Sequence, residues 1–169
     1  MDLDSIKDHI QQYGLYIQLI ACLAYIWRFK TADAFVYMCV GILVLTPLHV
    51  VYETKLLALS ENEEMRSLVR NLWYFGFAVT DIMLVAIVVH LTKKGKVQLD
   101  YPTKALMASF LLMAVIQFAG YVDQVVTNTD YLANFYMTSI PVINIGVTII
   151  IASFSAGAFV ASFVNDDLR

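Results

Sequence analysis

Residues 60–92 read SENEEMRSLVRNLWYFGFAVTDIMLVAIVVHLT, a stretch that opens charged and turns almost wholly apolar from Leu72 to Leu91. The apolar part matches the ~20 residues that a helix needs to cross a bilayer core of ~30 Å. Asp81 stands at its middle. A carboxylate at that depth disfavours insertion by at least ~2.5–3.5 kcal/mol on translocon scales, so it is expected to face a partner or water inside a bundle rather than lipid.

The composition of the whole chain agrees with this reading. Its 169 residues are 60% hydrophobic and 15% charged, whereas soluble domains run at roughly 45–50% apolar and ~25% charged. The mean hydropathy is +0.69. The expected fold class is therefore all-α, a polytopic membrane helix bundle forming one domain over residues 1–169, with the lipid bilayer as its first partner. Net charge is −3 and the basic residues are scattered except at Lys93, Lys94 and Lys96, so no nucleic-acid footprint is present. Cys22 and Cys39 both fall in apolar stretches, where buried, reduced thiols are expected rather than a disulfide framework. Met1 to Asp8 carries Asp2, Asp4 and Asp8 against Lys7, which is not the pattern of a cleavable signal.

Five helices are expected, at about 6–29, 34–59, 61–92, 105–126 and 140–164. Ser5 with Asp8 resembles a capping box for the first. Its apolar part, Tyr13 to Trp27, is 15 residues and short for a span. Gln11, Gly14, Gln18, Cys22 and Tyr25 form a polar or small stripe on it that faces neighbouring helices. Pro47 should kink the second helix, on which Thr46, His49 and Glu53 share a face and His49 can touch Glu53. Ser60 with Glu63 reads as a capping box opening the third helix. There Tyr74, Phe77, Asp81, Leu84, Val85 and Val88 share a face, and His90 lies at the far interface. The fourth helix carries Gln117 near mid-depth, and Asp123 and Gln124 near its end. Ser139 is expected to cap the fifth, with Pro141 in its first turn. Ser153, Gly157 and Ala161 form a small-residue ridge on that helix that suits close approach of a neighbour.

Charge sets the expected orientation. Arg28, Lys30, Lys93, Lys94, Lys96, Lys104 and Arg169 fall at one end of the bundle, and Lys7, Lys55, Arg66 and Arg70 at the other. The positive-inside rule puts the first set in the cytoplasm, with the N-terminus out and the C-terminus in. Trp27, Tyr52, Trp73, Tyr74, Tyr121, Tyr131 and Tyr136 fall near the interfaces, as aromatic belts do. Short loops and the lack of an N-x-S/T sequon point to a bacterial inner membrane.

Counting ~1.5 Å per residue from the outer helix ends, each helix offers one polar residue to the outer half of the membrane. These are Gln18, His49, Asp81, Gln117 and Asn144, with Glu53 near the mouth. If they converge, they form an outward-facing polar cavity based on Asp81, fit to bind or pass a proton, a small cation or a small polar solute. The competing role is structural, since interhelical hydrogen bonds between such residues fix a bundle at ~0.6 kcal/mol each.

Sharper chemistries find little support. A retinal protein needs a lysine inside a span, and a voltage sensor needs a ladder of arginines there; neither pattern is present. Haem held between His49 and His90 fails on depth, while one-sided ligation by His49 stays open. A zinc site of Cys22, Cys39 and His49 is disfavoured because His49 lies ten residues, about 15 Å, along the helix from Cys39. HExxH and GxSxG are absent, so catalytic and metal residues are expected to be none and an enzyme is the less favoured class. No cofactor is identified. Two functions remain: transport through Asp81 by a homo-oligomer, or a non-transporting subunit, accessory or immunity-type protein that holds a membrane partner.

Overall fold

The computed structural model describes residues 3–30 and 33–166, with side chains placed for 13–30 and 33–162. The described residues are helical, without strands: α1 Leu3–Phe29, α2 Ala34–Ser60, α3 Arg66–Gly95, α4 Tyr101–Tyr121 and α5 Ala133–Asp166. A 3₁₀ turn, Glu63–Met65, precedes α3, and a π-helical turn, Val122–Val126, prolongs α4. The Ser5–Asp8 pair and Gln11 lie outside the described side chains.

Capping explains where the helices begin, and it differs from expectation at three of them. Asp33 caps α2 as a short acidic side chain should: Oδ1 accepts from the Val36 amide at 2.8 Å and Oδ2 from the Tyr25 hydroxyl at 3.0 Å, tying α1 to α2. The expected Ser60–Glu63 box does not form. Ser60 Oγ instead donates back to the Leu57 carbonyl at 2.7 Å, and Asn62 Oδ1 accepts from the Glu64 amide at 3.0 Å, so the chain passes through the 3₁₀ turn before α3. Helix α4 opens at Tyr101 rather than 105 because Asp100 accepts from the Thr103 amide at 2.7 Å. Pro102 then sits in the first turn, where its missing N–H costs nothing. Helix α5 opens at Ala133 rather than 140, which puts Pro141 in its interior and leaves Ser139 without a capping role. Just ahead of it, Asp123 Oδ2 accepts the Leu132 amide at 2.9 Å.

Helices α2 and α4, and the apolar runs of α3 and α5, are long and apolar enough to cross a membrane, and α1 adds a shorter apolar stretch, Tyr13–Phe29. The chain is thus a multi-pass helical membrane protein. Each helix packs against its neighbours in sequence, and α5 closes the ring against α1. The core lies toward the Lys93 end, where Cys22 and Tyr25 of α1, Phe35 and Met38 of α2, Val88 of α3, Leu106 and Phe110 of α4, and Ile151 of α5 are all buried. The spacings 35, 38, 39, 42 and 106, 110, 113 are those of a helix face. Tyr25, Phe35 and Phe154 meet edge-on or tilted, with centroids 4.6–5.9 Å apart. Outward, Ile20, Leu48, Ile82, Val115 and Ile149 are exposed. In a soluble protein such a surface would aggregate, whereas here it meets acyl chains.

Two expectations about faces change. Ser153, Gly157 and Ala161 are exposed, and a Cβ on Gly157 would meet nothing within 4 Å. The small ridge therefore points away from the other helices of this chain. Tyr136, expected in an interfacial belt, turns inward and meets Tyr74, which the Asp81 face already includes, edge-on at 5.2 Å between centroids.

Candidate functional site

Asp81 lies mid-way along α3 with 1% of its surface exposed. Its partner comes from α4: Gln117 Nε2 donates to Asp81 Oδ2 at 3.2 Å, and Gln117 is itself buried. The amide oxygen of Gln117 is buried without a donor. Among the described residues Asp81 makes no ion pair. A buried carboxyl with one amide donor and no countercharge has an unmet need on its own oxygens and faces an amide with a spare acceptor.

The two sides of this pair differ. Toward the Lys93 end, Leu84, Val85 and Val88 continue the Asp81 face and pack with Leu106, Phe110 and Met113, a buried apolar plug. Toward the opposite end lies a layer of aromatics that carry polar tips. Tyr74 stands two turns from Asp81 on the same face and packs on Tyr136. Tyr136 Oη accepts from Trp73 Nε1 at 3.2 Å, and Trp73 packs edge-on against Phe77 at 5.4 Å. The layer rests on Gly120, three residues beyond Gln117, where a Cβ would come within 2.8 Å of the Tyr74 ring and 3.3 Å of Tyr136. Tyr74 was legible as a member of the Asp81 face. Trp73, Tyr136 and Gly120 were not, because their roles depend on which helices meet.

The other candidates pair separately. His49 Nε2 is 2.7 Å from Thr80 Oγ1, and its ring stands edge-on to Phe77 at 4.8 Å. Thr80 in turn donates within its own helix to the Gly76 and Phe77 carbonyls, at 3.1 and 2.9 Å. His49 therefore does not turn to Glu53, which is exposed. Its contact with Thr80 also puts it level with Asp81, deeper than counting from the end of the apolar run suggests. Gln18 Nε2 donates to Thr148 Oγ1 at 2.6 Å, joining α1 to α5. Asn144 is half-buried, and its backbone carbonyl accepts from Thr148 at 2.9 Å.

These pairs lie at two depths. Tyr25 and Phe35 touch, and Gln18 is seven residues from Tyr25 while His49 is fourteen from Phe35. At ~1.5 Å per residue, the Gln18–Thr148 bond lies about 10 Å nearer the Lys93 end than the His49–Thr80 bond. Asp81 and Gln117 are thus brought together, His49 sits beside them on the far face of α3, and Gln18 belongs to another level. Among the described residues, no three His, Cys, Asp or Glu side chains gather as a metal-ligand set. No family model, curated protein or solved structure matches this chain.

Proposed function

We propose that this chain is a five-span protein of a cell membrane, by default a bacterial inner membrane, and that it passes protons, or a small cation in their place, through Asp81. The N-terminus lies outside and the C-terminus in the cytoplasm, from the bias of Lys and Arg. The observation that carries the reading is the Asp81–Gln117 pair, a mid-span carboxyl buried to 1% exposure and held by one amide. Charged groups at such depth face function by default, because a purely structural bond returns too little for the insertion cost.

The pair suits a group that changes protonation state. An ionised Asp81 accepts from Gln117 Nε2. A protonated Asp81 donates its O–H to Gln117 Oε1 once the amide turns by 180°, a rotation that barely changes the amide's shape. One hydrogen bond persists in both states. The outer aromatic layer supplies the hydroxyls of Tyr74 and Tyr136, each able to accept and pass on a proton, with the Trp73 indole holding Tyr136 in place, whereas the inner plug offers none, so the carboxyl loads from the outer side. Release inward requires the α3–α4 contact at Leu84, Val85 and Phe110 to loosen. A single 19.1 kDa ring of five helices leaves little room for that movement, so the working form is a homo-oligomer, its copies meeting along the exposed Ser153, Gly157 and Ala161 ridge.

Proteoliposomes with a pH-sensitive dye inside test this reading, with an imposed pH gradient and a potassium diffusion potential as drivers. Flux above that of protein-free vesicles, lost in a correctly inserted Asp81→Asn variant, is the expected result. Equal dye traces for wild type, Asp81→Asn and empty vesicles, with sodium and potassium as alternative ions giving the same equality, favour the non-transporting partner-binding protein instead.

A further inference from the structure

We propose that the mouth between α3 and α4 at the Lys93 end binds the phosphate of an anionic lipid headgroup. An open hollow of about 470 Å³ lies there, with Lys93, Lys96 and Lys104 around it and Val89, Val97 and Leu99 among its lining. The site is separate from Asp81, and it does not depend on transport.

Local backbone chemistry builds the lysine ring. The α3 terminus is closed by the Val97 amide donating to the Thr92 carbonyl at 2.9 Å, which folds Val97 to Leu99 back beside the helix. The left-handed residue of this turn is Lys96, at φ 52°. Glycine is usual at such a position. Here the glycine stands one residue earlier, where a Cβ would meet the tip of the Tyr37 side chain of α2 at a tight 3.0 Å, and the left-handed position is taken by a lysine. Lys104 enters from the first turn of α4.

The three ammonium groups have no anionic partner within the described residues. Asp100, the acid nearest in sequence, is engaged as the α4 cap. The Thr92 hydroxyl is also occupied, donating to the Val88 and Val89 carbonyls at 2.9 and 3.0 Å. Three lysines around a hollow at the end of a membrane helix, against the one capping carboxylate of Asp100 among the described residues, attract a phosphate. The apolar lining decides for a lipid. Val89 belongs to the membrane run of α3, and Ala86 and Ile82, one and two turns back on the same face, are exposed, so an acyl chain can lie along α3 while its phosphate stays among the lysines.

Native mass spectrometry of the full chain in mild detergent tests this, using phosphatidylglycerol, phosphatidylcholine of the same acyl chains, and inorganic phosphate as probes. Each lysine near an anionic surface is worth about fivefold in affinity, so the combined Lys93→Gln, Lys96→Gln, Lys104→Gln variant should lose about a hundredfold in phosphatidylglycerol binding at low salt. The matching Lys→Arg variant should keep it, and Lys55→Gln with Arg70→Gln, at the other end, should leave it unchanged. Retention of phosphatidylglycerol by the triple Gln variant, or equal retention of phosphatidylcholine by wild type, overturns the proposal. Full displacement of the lipid by millimolar inorganic phosphate would assign the lysines to a soluble anion and overturns it as well.

Discussion

Gln117 gives one amide hydrogen to Asp81 across the α3–α4 interface, at 3.2 Å, and keeps its own oxygen buried without a donor. The bond is too weak to account for a carboxyl at that depth, since interhelical hydrogen bonds in membranes average ~0.6 kcal/mol and reach ~1.7 at most. The insertion cost of the carboxyl exceeds this. A residue kept at such a loss is one whose removal helps the fold and harms the function.

Asp81→Leu should therefore leave the bundle as stable as wild type or stabilise it, by up to about 3 kcal/mol, while Gln117→Leu should cost about 0.6–1.7 kcal/mol by removing the one donor to a buried carboxyl. Equilibrium unfolding in mixed detergent micelles measures both. A loss of several kcal/mol in Asp81→Leu would mark the carboxyl as a structural fastener.

His49 and Thr80 predict a different outcome. Replacing His49 by Phe keeps the edge-on packing against Phe77 and removes only the 2.7 Å hydrogen bond. The variant should lose about 0.6 kcal/mol of stability and keep ion flux within about twofold of wild type. Abolished flux would put His49 in the path with Asp81.

Counting along the sequence put Asp81 and Gln117 at one level, and the structure joins them by a hydrogen bond, because both sit near the centre of long apolar runs where counting from either end gives the same position. His49 was misplaced by the same procedure. Its helix continues to Ser60, well past the apolar run that ends near Tyr52, so the end of hydrophobicity is not the end of the element. The start of α5 failed for a related reason: Pro141 reads as a first-turn residue, but a proline is tolerated within a membrane helix and the polar residues before it continue the helix. Lateral pairing was not legible at all. Periodicity tells which face Tyr74 or Gln18 occupies, whereas the partners, Tyr136 and Thr148, come from a ring order that no local pattern encodes.

Gly120 carries the aromatic layer, and its substitution should be graded by size. The Cβ of Gly120→Ala would lie 2.8 Å from the Tyr74 ring, and two packed tyrosines have little room to yield, so a loss of about 1–3 kcal/mol is expected, with Gly120→Leu worse. Tyr74→Ala should rescue part of the Gly120→Ala loss by vacating the overlapped space. Additive losses in the double variant would show that the two residues do not meet.

Cys22 and Cys39 are both fully buried, with the Cys39 thiol against that of Cys22. In mild detergent neither should react with a maleimide over the time in which an exposed cysteine, introduced at Asn128, reacts completely. Both should label once the helices are separated in denaturing detergent. Rapid labelling of the native protein would contradict the α1–α2 packing.

The measurement closest to the central claim is infrared difference spectroscopy of the reconstituted protein as the pH is stepped. If Asp81 carries the proton, a protonated-carboxyl C=O band gains and loses intensity with pH, is absent from Asp81→Asn, and shifts in frequency in Gln117→Leu as the amide partner is removed. Difference spectra of wild type and Asp81→Asn that coincide at every pH would contradict it, because Asp81 would then hold one protonation state throughout and could not pass a proton.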